Sequence, residues 1–166
     1  MKTYTLIAIL LTCSISAHAE GPQIVNPKFN NVEVLTDNNL QIKIGEKVIT
    51  LSNQFISKDI NLEPTAPIQC VWDKANPYVA IFVQYPRATE IHVVNYQQGT
   101  ILKQEFSKDF PEWYDRVFSA LNYPNGDWSM GRLPVKTVVT MRDGTKRESS
   151  QTLEITSAGF KLSQLK

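Results

Sequence analysis

Residues 67–106 read PIQCVWDKANPYVAIFVQYPRATEIHVVNYQQGTILKQEF and are the most apolar, most β-branched part of the chain beyond its first 19 residues. This segment contains four β-prone runs separated by turn signals, among them Asn76-Pro77, Tyr85-Pro86-Arg87 and Gln97-Gln98-Gly99. The pattern predicts four consecutive strands with three turns. Because parallel neighbours need a crossover of a dozen or more residues, connections this short favour an antiparallel meander.

The first two runs differ in their periodicity, and the difference predicts how each is buried. Ile68 to Trp72 alternates with a period of two, which places Ile68, Cys70 and Trp72 on one face. Tyr78 to Val83 is apolar at every position. A continuous apolar run of this length, bounded by turn signals, fits a strand that is covered on both faces.

A helix is predicted over about residues 109–121. Asp109 can cap the free backbone donors of a helix start, and Glu112 can reach back towards it. The apolar residues that follow recur at helical spacing: Phe110, Trp113, Tyr114, Val117, Phe118 and Leu121. We expect this amphipathic helix to lie across one face of the sheet and to supply the second cover of Tyr78–Val83.

Two hairpins flank these elements. Leu40, Ile42 and Ile44 alternate with polar residues before a Gly45-Glu46 turn, and residues 47–51 return. Near the C-terminus, residues 135–141 and 146–155 are joined by an Asp143-Gly144 turn, and the polar start of the return strand predicts a sheet edge. Shorter strands are predicted at 32–35 and 55–62. The predicted fold is mainly β (α+β), a sandwich- or barrel-like antiparallel meander with one packed helix.

Residues 1–19 have the features of a secretory signal peptide. Lys2 supplies the positive start, residues 5–11 the apolar segment, and Ala17-His18-Ala19 the cleavage site. A minor alternative is a lipoprotein acylated at Cys13. The apolar segment is too short to cross a bilayer, and no other stretch predicts a transmembrane span. We therefore expect a single periplasmic or secreted domain over residues 20–166.

Charge and cysteine content limit the ligands and the cross-links to be expected. Without Lys2 the chain has 16 basic and 16 acidic side chains, so no broad attraction to nucleic acid is expected. Without Cys13 only Cys70 remains, which excludes an intramolecular disulfide. Its strand position predicts a buried, inert thiol.

The sequence contains few of the residues that catalysis or cofactor binding requires. His92 is the one histidine beyond the leader, and we expect it to be a hydrogen-bonded or solvent-facing strand residue. We expect no metal site and no catalytic residue, and the lack of phosphate-loop and dinucleotide patterns predicts no cofactor. The enzyme alternative is a carboxylate-dependent hydrolase of the cell envelope, in which Asp73, Glu90 or Asp127 would converge.

Recognition has more support, because several loops place a large aromatic beside a polar group. Trp72-Asp73 is one such loop, and tyrosine, tryptophan and arginine are the types that dominate interface energetics. For Trp72 and Trp128 the alternative is that each ring plugs the end of a β core. The predicted contact surface consists of Tyr85, Arg87, Tyr123, Asn125, Asp127, Trp128 and Arg132.

These patterns favour a binding protein over an enzyme. The expected function is an exported module that recognises a protein partner or a cell-envelope component, as inhibitor- and immunity-type proteins do. A further alternative is an envelope assembly subunit that pairs strands through the polar edge near Lys146. The pattern specifies neither an oligomeric state nor the order of the strands.

Overall fold

The computed structural model describes residues 23–36, 39–52, 65–102, 116–157 and 159–163. These residues form thirteen strands in three sheets. In chain order the strands are β1 (Ile24–Val25), β2 (Lys28–Phe29), β3 (Val32–Leu35), β4 (Leu40–Ile44), β5 (Lys47–Ser52), β6 (Ile68–Trp72), β7 (Tyr78–Gln84), β8 (Thr89–Asn95), β9 (Thr100–Leu102), β10 (Val117–Pro124), β11 (Arg132–Met141), β12 (Lys146–Thr156) and β13 (Gly159–Leu162).

The predicted meander is confirmed as the middle sheet, whose strand order is β1-β6-β7-β8-β9. Strands β6 to β9 pair antiparallel in sequence order, as their short connections require. Only β1 is parallel, with Ile24 opposite Ile68. β7 lies at the centre of this sheet and is its most deeply buried strand.

The two faces of β7 pack against two different sheets. Ile81 and its neighbours at alternate positions, Val79 and Val83, face a first core cluster. Ala80 and Phe82 face a second one. All five side chains are at most 1% exposed, so the predicted cover on both faces is confirmed.

The first cluster lies between the middle sheet and a sheet of order β2-β3-β4-β5. Ile68, Cys70 and Trp72 point into it from β6, as their alternation predicted. Leu40 and Ile42 point into it from β4, where the predicted alternation is also confirmed. The turn between β4 and β5 places Gly45 at φ +58°, a conformation that glycine adopts without steric cost.

The second cluster lies under a sheet of order β10-β11-β12-β13, which contributes Leu133, Val135, Leu153 and Phe160. A sheet therefore covers the face for which a helix was predicted. The helix prediction is wrong for residues 117–121, which belong to β10 and pair with β11. Residues 109–115 of that prediction lie outside the described residues.

The burial of β10 shows why the helical pattern misled. Ser119, which is not one of the apolar positions of the predicted helix, is 7% exposed. Phe118, which is one of them and was expected in the core, is 49% exposed. Val117, Phe118 and Leu121 fit a helical period, but β11 pairs with Val117 and, after an irregularity at Phe118, with every residue from Ser119 to Pro124. Tertiary pairing of this kind overrides local propensity.

The C-terminal hairpin agrees with its prediction. Asp143 Oδ1 accepts a hydrogen bond of 2.9 Å from the Thr145 amide, and Gly144 has φ +85°. β13 pairs with only the last four residues of β12, so residues 146–151 form an outer edge among the described strands. The predicted strand at 55–62 and the predicted leader lie outside the described residues. Nowhere in the described ranges is there a helix with the length and apolarity of a membrane span.

The sheet of order β10-β11-β12-β13, which we call the third sheet, joins the middle sheet at the turn between β7 and β8. The Ala120 amide donates to the Arg87 carbonyl at 3.0 Å, and Ala88 bridges to Ala120. Gln84, only 3% exposed, donates through Nε2 to the Asn122 carbonyl at 2.6 Å. These bonds satisfy polar groups that would otherwise be buried at the junction without partners.

Candidate functional site

A groove of about 510 Å³ opens between the β2–β5 sheet and the loops at one end of the middle sheet. One wall comes from β2, the residues after it, and Ile44 at the end of β4. The opposite wall comes from the loop between β6 and β7 and from the turn that follows β8. We call this cavity the amide groove, because four of the side chains that line it are amides: Asn30, Asn31, Asn76 and Gln97.

Aromatic rings meet at the base of the amide groove. The rings of Phe29 and Trp72 stack with their centroids 5.6 Å apart and an interplanar angle of 24°. Tyr96 meets the Trp72 indole edge-on at 5.9 Å. Trp72 is 9% exposed and donates through Nε1 to the Asn26 carbonyl at 2.8 Å. The buried indole therefore fixes the positions of Phe29 and Tyr96, which line the groove.

The loops that present the amides are held by their own hydrogen bonds. Asp73 Oδ1 accepts from the amides of Ala75 and Asn76 at 2.9 and 3.1 Å, and Oδ2 accepts from Asn76 Nδ2 at 2.9 Å. Asn95 Oδ1 likewise accepts from the Gln97 amide at 3.1 Å. Asx turns of this kind order a loop without a metal or a disulfide. The amide side chains are thus presented from ordered turns.

The groove is almost uncharged. Among the described residues that line it, Lys74 is the one with a charged side chain, and none is a carboxylate. Asp73 is wholly buried behind the loop. Burial, together with the Asp73 charge, raises the pKa of Tyr96, so its phenol stays neutral and can both donate and accept a hydrogen bond. The groove can hold a polar ligand through uncharged donors and acceptors beside aromatic rings.

Two residues of the predicted contact surface lie at the β7–β8 turn. Tyr85 donates through its hydroxyl to Glu90 Oε2 at 3.1 Å, and its ring packs on the first core cluster. The Arg87 guanidinium lies over the Phe118 ring, 4.6 Å from its centroid. This stacking gives the half-exposed Phe118 a partner on the surface.

The other five residues lie in β10 and in the segment up to the start of β11. Trp128 is 5% exposed, belongs to the second core cluster and stacks on Tyr78 at 6.2 Å. This position is the one that the alternative prediction gives for Trp128, in which the ring fills part of the β core. Arg132 pairs through Nε with Glu154 at 3.1 Å. Tyr123 is half-buried opposite Lys136, whereas Asn125 and Asp127 are exposed.

The structure does not bring these seven residues into one surface. Trp128 packs on Tyr78, where β7 begins, and Tyr85 follows Gln84, where β7 ends. A strand of this length spans about 20 Å. A single small ligand therefore cannot contact both Trp128 and Tyr85, although a protein partner could. Tyr123 lies nearer the Tyr85 end, because the carbonyl of the preceding Asn122 accepts from Gln84.

Two of the carboxylates considered for catalysis lie at opposite ends of β7. Asp73 lies beside Tyr78 at one end of β7, and Glu90 pairs with Val83 at the other. In the described part of the chain, no three side chains among His, Cys, Asp and Glu come together as a metal site would require. The two cavities described here contain at most one carboxylate each. We therefore do not propose the carboxylate hydrolase.

His92 contacts another side chain of the fold, and Cys70 is buried. His92 Nε2 lies 2.8 Å from Glu90 Oε1. The histidine contact is the largest of the effects that hold the pKa of Glu90 below its ordinary value. Cys70 is a free, buried thiol, as predicted, and burial raises its pKa to about 12.

Comparison of the chain with protein-family models, with curated proteins and with solved structures found no match.

Proposed function

We propose that this chain is an exported binding module whose amide groove recognises an uncharged saccharide segment of the cell envelope. The observation that supports this best is the combination of aromatic rings, four amides and no carboxylate in one groove. The secretory leader predicted over residues 1–19 would deliver the module to that compartment.

The chemistry of a sugar matches both parts of the groove. A pyranose ring presents C–H groups on its faces, and the negative face of an aromatic ring such as Tyr96 or Phe29 attracts them. Its hydroxyls both donate and accept, as do the amides of Asn31 and Gln97. An uncharged ligand also avoids the cost of placing an anion near the buried Asp73 carboxylate.

The test is a calorimetric titration of the purified chain with uncharged oligomers of N-acetylglucosamine. Gln97→Ala removes a groove amide, and Gln98→Ala removes the adjacent exposed amide that does not line the groove. One neutral hydrogen bond is worth about 1 kcal/mol, so Gln97→Ala should weaken binding about fivefold. Gln98→Ala should leave the affinity unchanged.

Tyr96→Phe separates ring stacking from hydrogen bonding in the same titration. This variant keeps the ring that meets Trp72 and loses only the hydroxyl. We expect it to retain most of the affinity. The proposal fails if wild-type protein does not bind these glycans, or if Gln97→Ala and Gln98→Ala behave alike.

A second candidate function is recognition of a protein partner, and Met130 is the observation that favours it. Its side chain is 88% exposed, and its backbone has φ +48°, a region that non-glycine residues rarely adopt. Met130 lies between the predicted contact residues Asp127 and Arg132. An exposed apolar tip in an unfavourable conformation is typical of an interface anchor. Affinity capture from envelope extract with wild-type protein, repeated with Met130→Asn, tests this function, because loss of the captured protein is expected only in the variant.

A further inference from the structure

A second cavity, of about 330 Å³, lies at the end of the third sheet and differs in chemistry from the amide groove. It is lined by three arginines, Arg116, Arg142 and Arg147, together with Asp143. Arg116 and Arg142 are neighbours because the Arg142 amide donates to the Arg116 carbonyl at 2.7 Å. Arg147 comes from β12, on the other side of the hairpin turn. Two chain segments thus bring their guanidinium groups to one cavity.

None of these three arginines forms a close ion pair with a carboxylate among the described residues, although the charge of Arg147 interacts with that of Asp143. The three cavity arginines form no ion pair with a glutamate. Four basic residues elsewhere do form one: Lys28, Arg132, Lys136 and Lys161. The one acidic lining residue, Asp143, uses Oδ1 to accept from the amide and the hydroxyl of Thr145. Three positive charges therefore face a single carboxylate, which is already bonded within its turn.

We propose that this arginine cavity is a binding site for a multiply charged oxyanion, such as the phosphate group of a phosphomonoester. Guanidinium groups bind phosphate oxygens through paired, charge-assisted hydrogen bonds, and several of them are needed to balance more than one negative charge. In a chain with balanced charge, a local excess of this kind calls for an anionic ligand. The site is separate from the amide groove, and the proposal does not depend on the function proposed for that groove.

The test uses calorimetric titration of the full chain with inorganic phosphate and with glycerol phosphate, and chloride as the monovalent comparison. A parallel arm measures sedimentation with phosphatidylcholine vesicles that contain or lack phosphatidic acid, a lipid whose headgroup is a phosphomonoester. The cavity variant is the double substitution Arg142→Gln and Arg147→Gln. Its matched control, Lys28→Gln with Lys161→Gln, removes two positive charges that contact Glu33 and Glu154, away from the cavity.

We expect wild-type protein to bind phosphate or its ester, or the anionic vesicles, and the arm that binds identifies the source of the oxyanion. The cavity variant should bind about tenfold more weakly or worse, and the control should stay within about twofold of wild type. All the substituted residues are exposed. They lie in a turn or at a strand end, except Lys161, which lies within β13, so folding should be retained. If the double variant does not fold, Arg147→Gln alone should weaken binding about threefold. Equal losses in both double variants, or no binding in any arm, would overturn the proposal.

Discussion

The turn that contains Met130 allows a direct test of the geometry of the third sheet. Ser129 and Arg132 exchange two backbone hydrogen bonds of 2.9 and 2.8 Å. Between them Met130 and Gly131 have φ of +48° and +72°. Positive φ at both central positions defines a type I′ turn, for which Asn-Gly is the preferred pair. Replacing Met130 with asparagine should therefore stabilise the protein.

The size of the effect follows from the exposure and the backbone. The Met130 side chain is 88% exposed, so its removal sacrifices almost no buried apolar surface. A left-handed conformation costs a non-glycine residue about 1–2 kcal/mol, and asparagine tolerates it better than methionine does. We expect Met130→Asn to raise the free energy of unfolding by about 0.5–1 kcal/mol, which corresponds to about 1–4 °C in Tm.

Urea denaturation of wild type and variant measures this difference, and Gly131→Ala is the matched control. A Cβ added at Gly131 would meet no atom within 4 Å, so the substitution tests backbone strain alone. It should lower the free energy of unfolding by about 1 kcal/mol. If Met130→Asn destabilises the protein and Gly131→Ala has no effect, the turn does not have this conformation and the reasoning is refuted.

Three further predictions concern Trp128, Cys70 and Glu90. Trp128→Ala should lower the free energy of unfolding by about 3–5 kcal/mol, because the ring stacks on Tyr78 in the core; calorimetry checks this. Cys70 should resist a thiol reagent at pH 8 until urea unfolds the chain, since burial raises its pKa to about 12. The pKa of Glu90 lies below its ordinary 4.5, so its contact with His92 stabilises the fold above pH 4.5 and is lost as the pH falls through the lowered pKa. Denaturation midpoints of Glu90→Gln should consequently depend less on pH in that acidic range than those of wild type.

Local patterns predicted the middle sheet well. Each of its antiparallel connections is short, and each of its strands has a burial pattern that its own residues encode, as β6 and β7 show. The two-residue turn at Gly45 and the Asp143-Gly144 turn are also local, because they depend on a positive φ at one glycine. These elements could be derived without knowing what lies next to them in space.

The third sheet could not be derived in this way. The apolar spacing at Val117, Phe118 and Leu121 is compatible with a helix face, and nothing in those residues shows that β11 will offer a ladder. Only the pairing of Val117 with Met141 and its successors decides between the two structures. The order of the sheets, with β7 between two others, is likewise a property of the whole chain.

The candidate site shows the same limit. The sequence shows an aromatic residue beside a carboxylate at Trp72-Asp73, but Phe29 and Tyr96 reach Trp72 from distant segments. No spacing rule connects these three residues. Arg116 and Arg147 are brought to one cavity only by the register of the third sheet, and the exposed position of Met130 depends on the turn that holds it. Tyr85 and Arg87 remain a predicted contact surface of their own.

The central claim is that β7 is packed on both faces, and two substitutions of adjacent residues test it most directly. Ile81 and Phe82 are both wholly buried but face different sheets. Urea denaturation should show that Ile81→Val and Phe82→Leu each lower the free energy of unfolding by about 1 kcal/mol, and that the double variant shows the sum. If either single variant is as stable as wild type, that face of β7 is not packed and the three-sheet arrangement is contradicted.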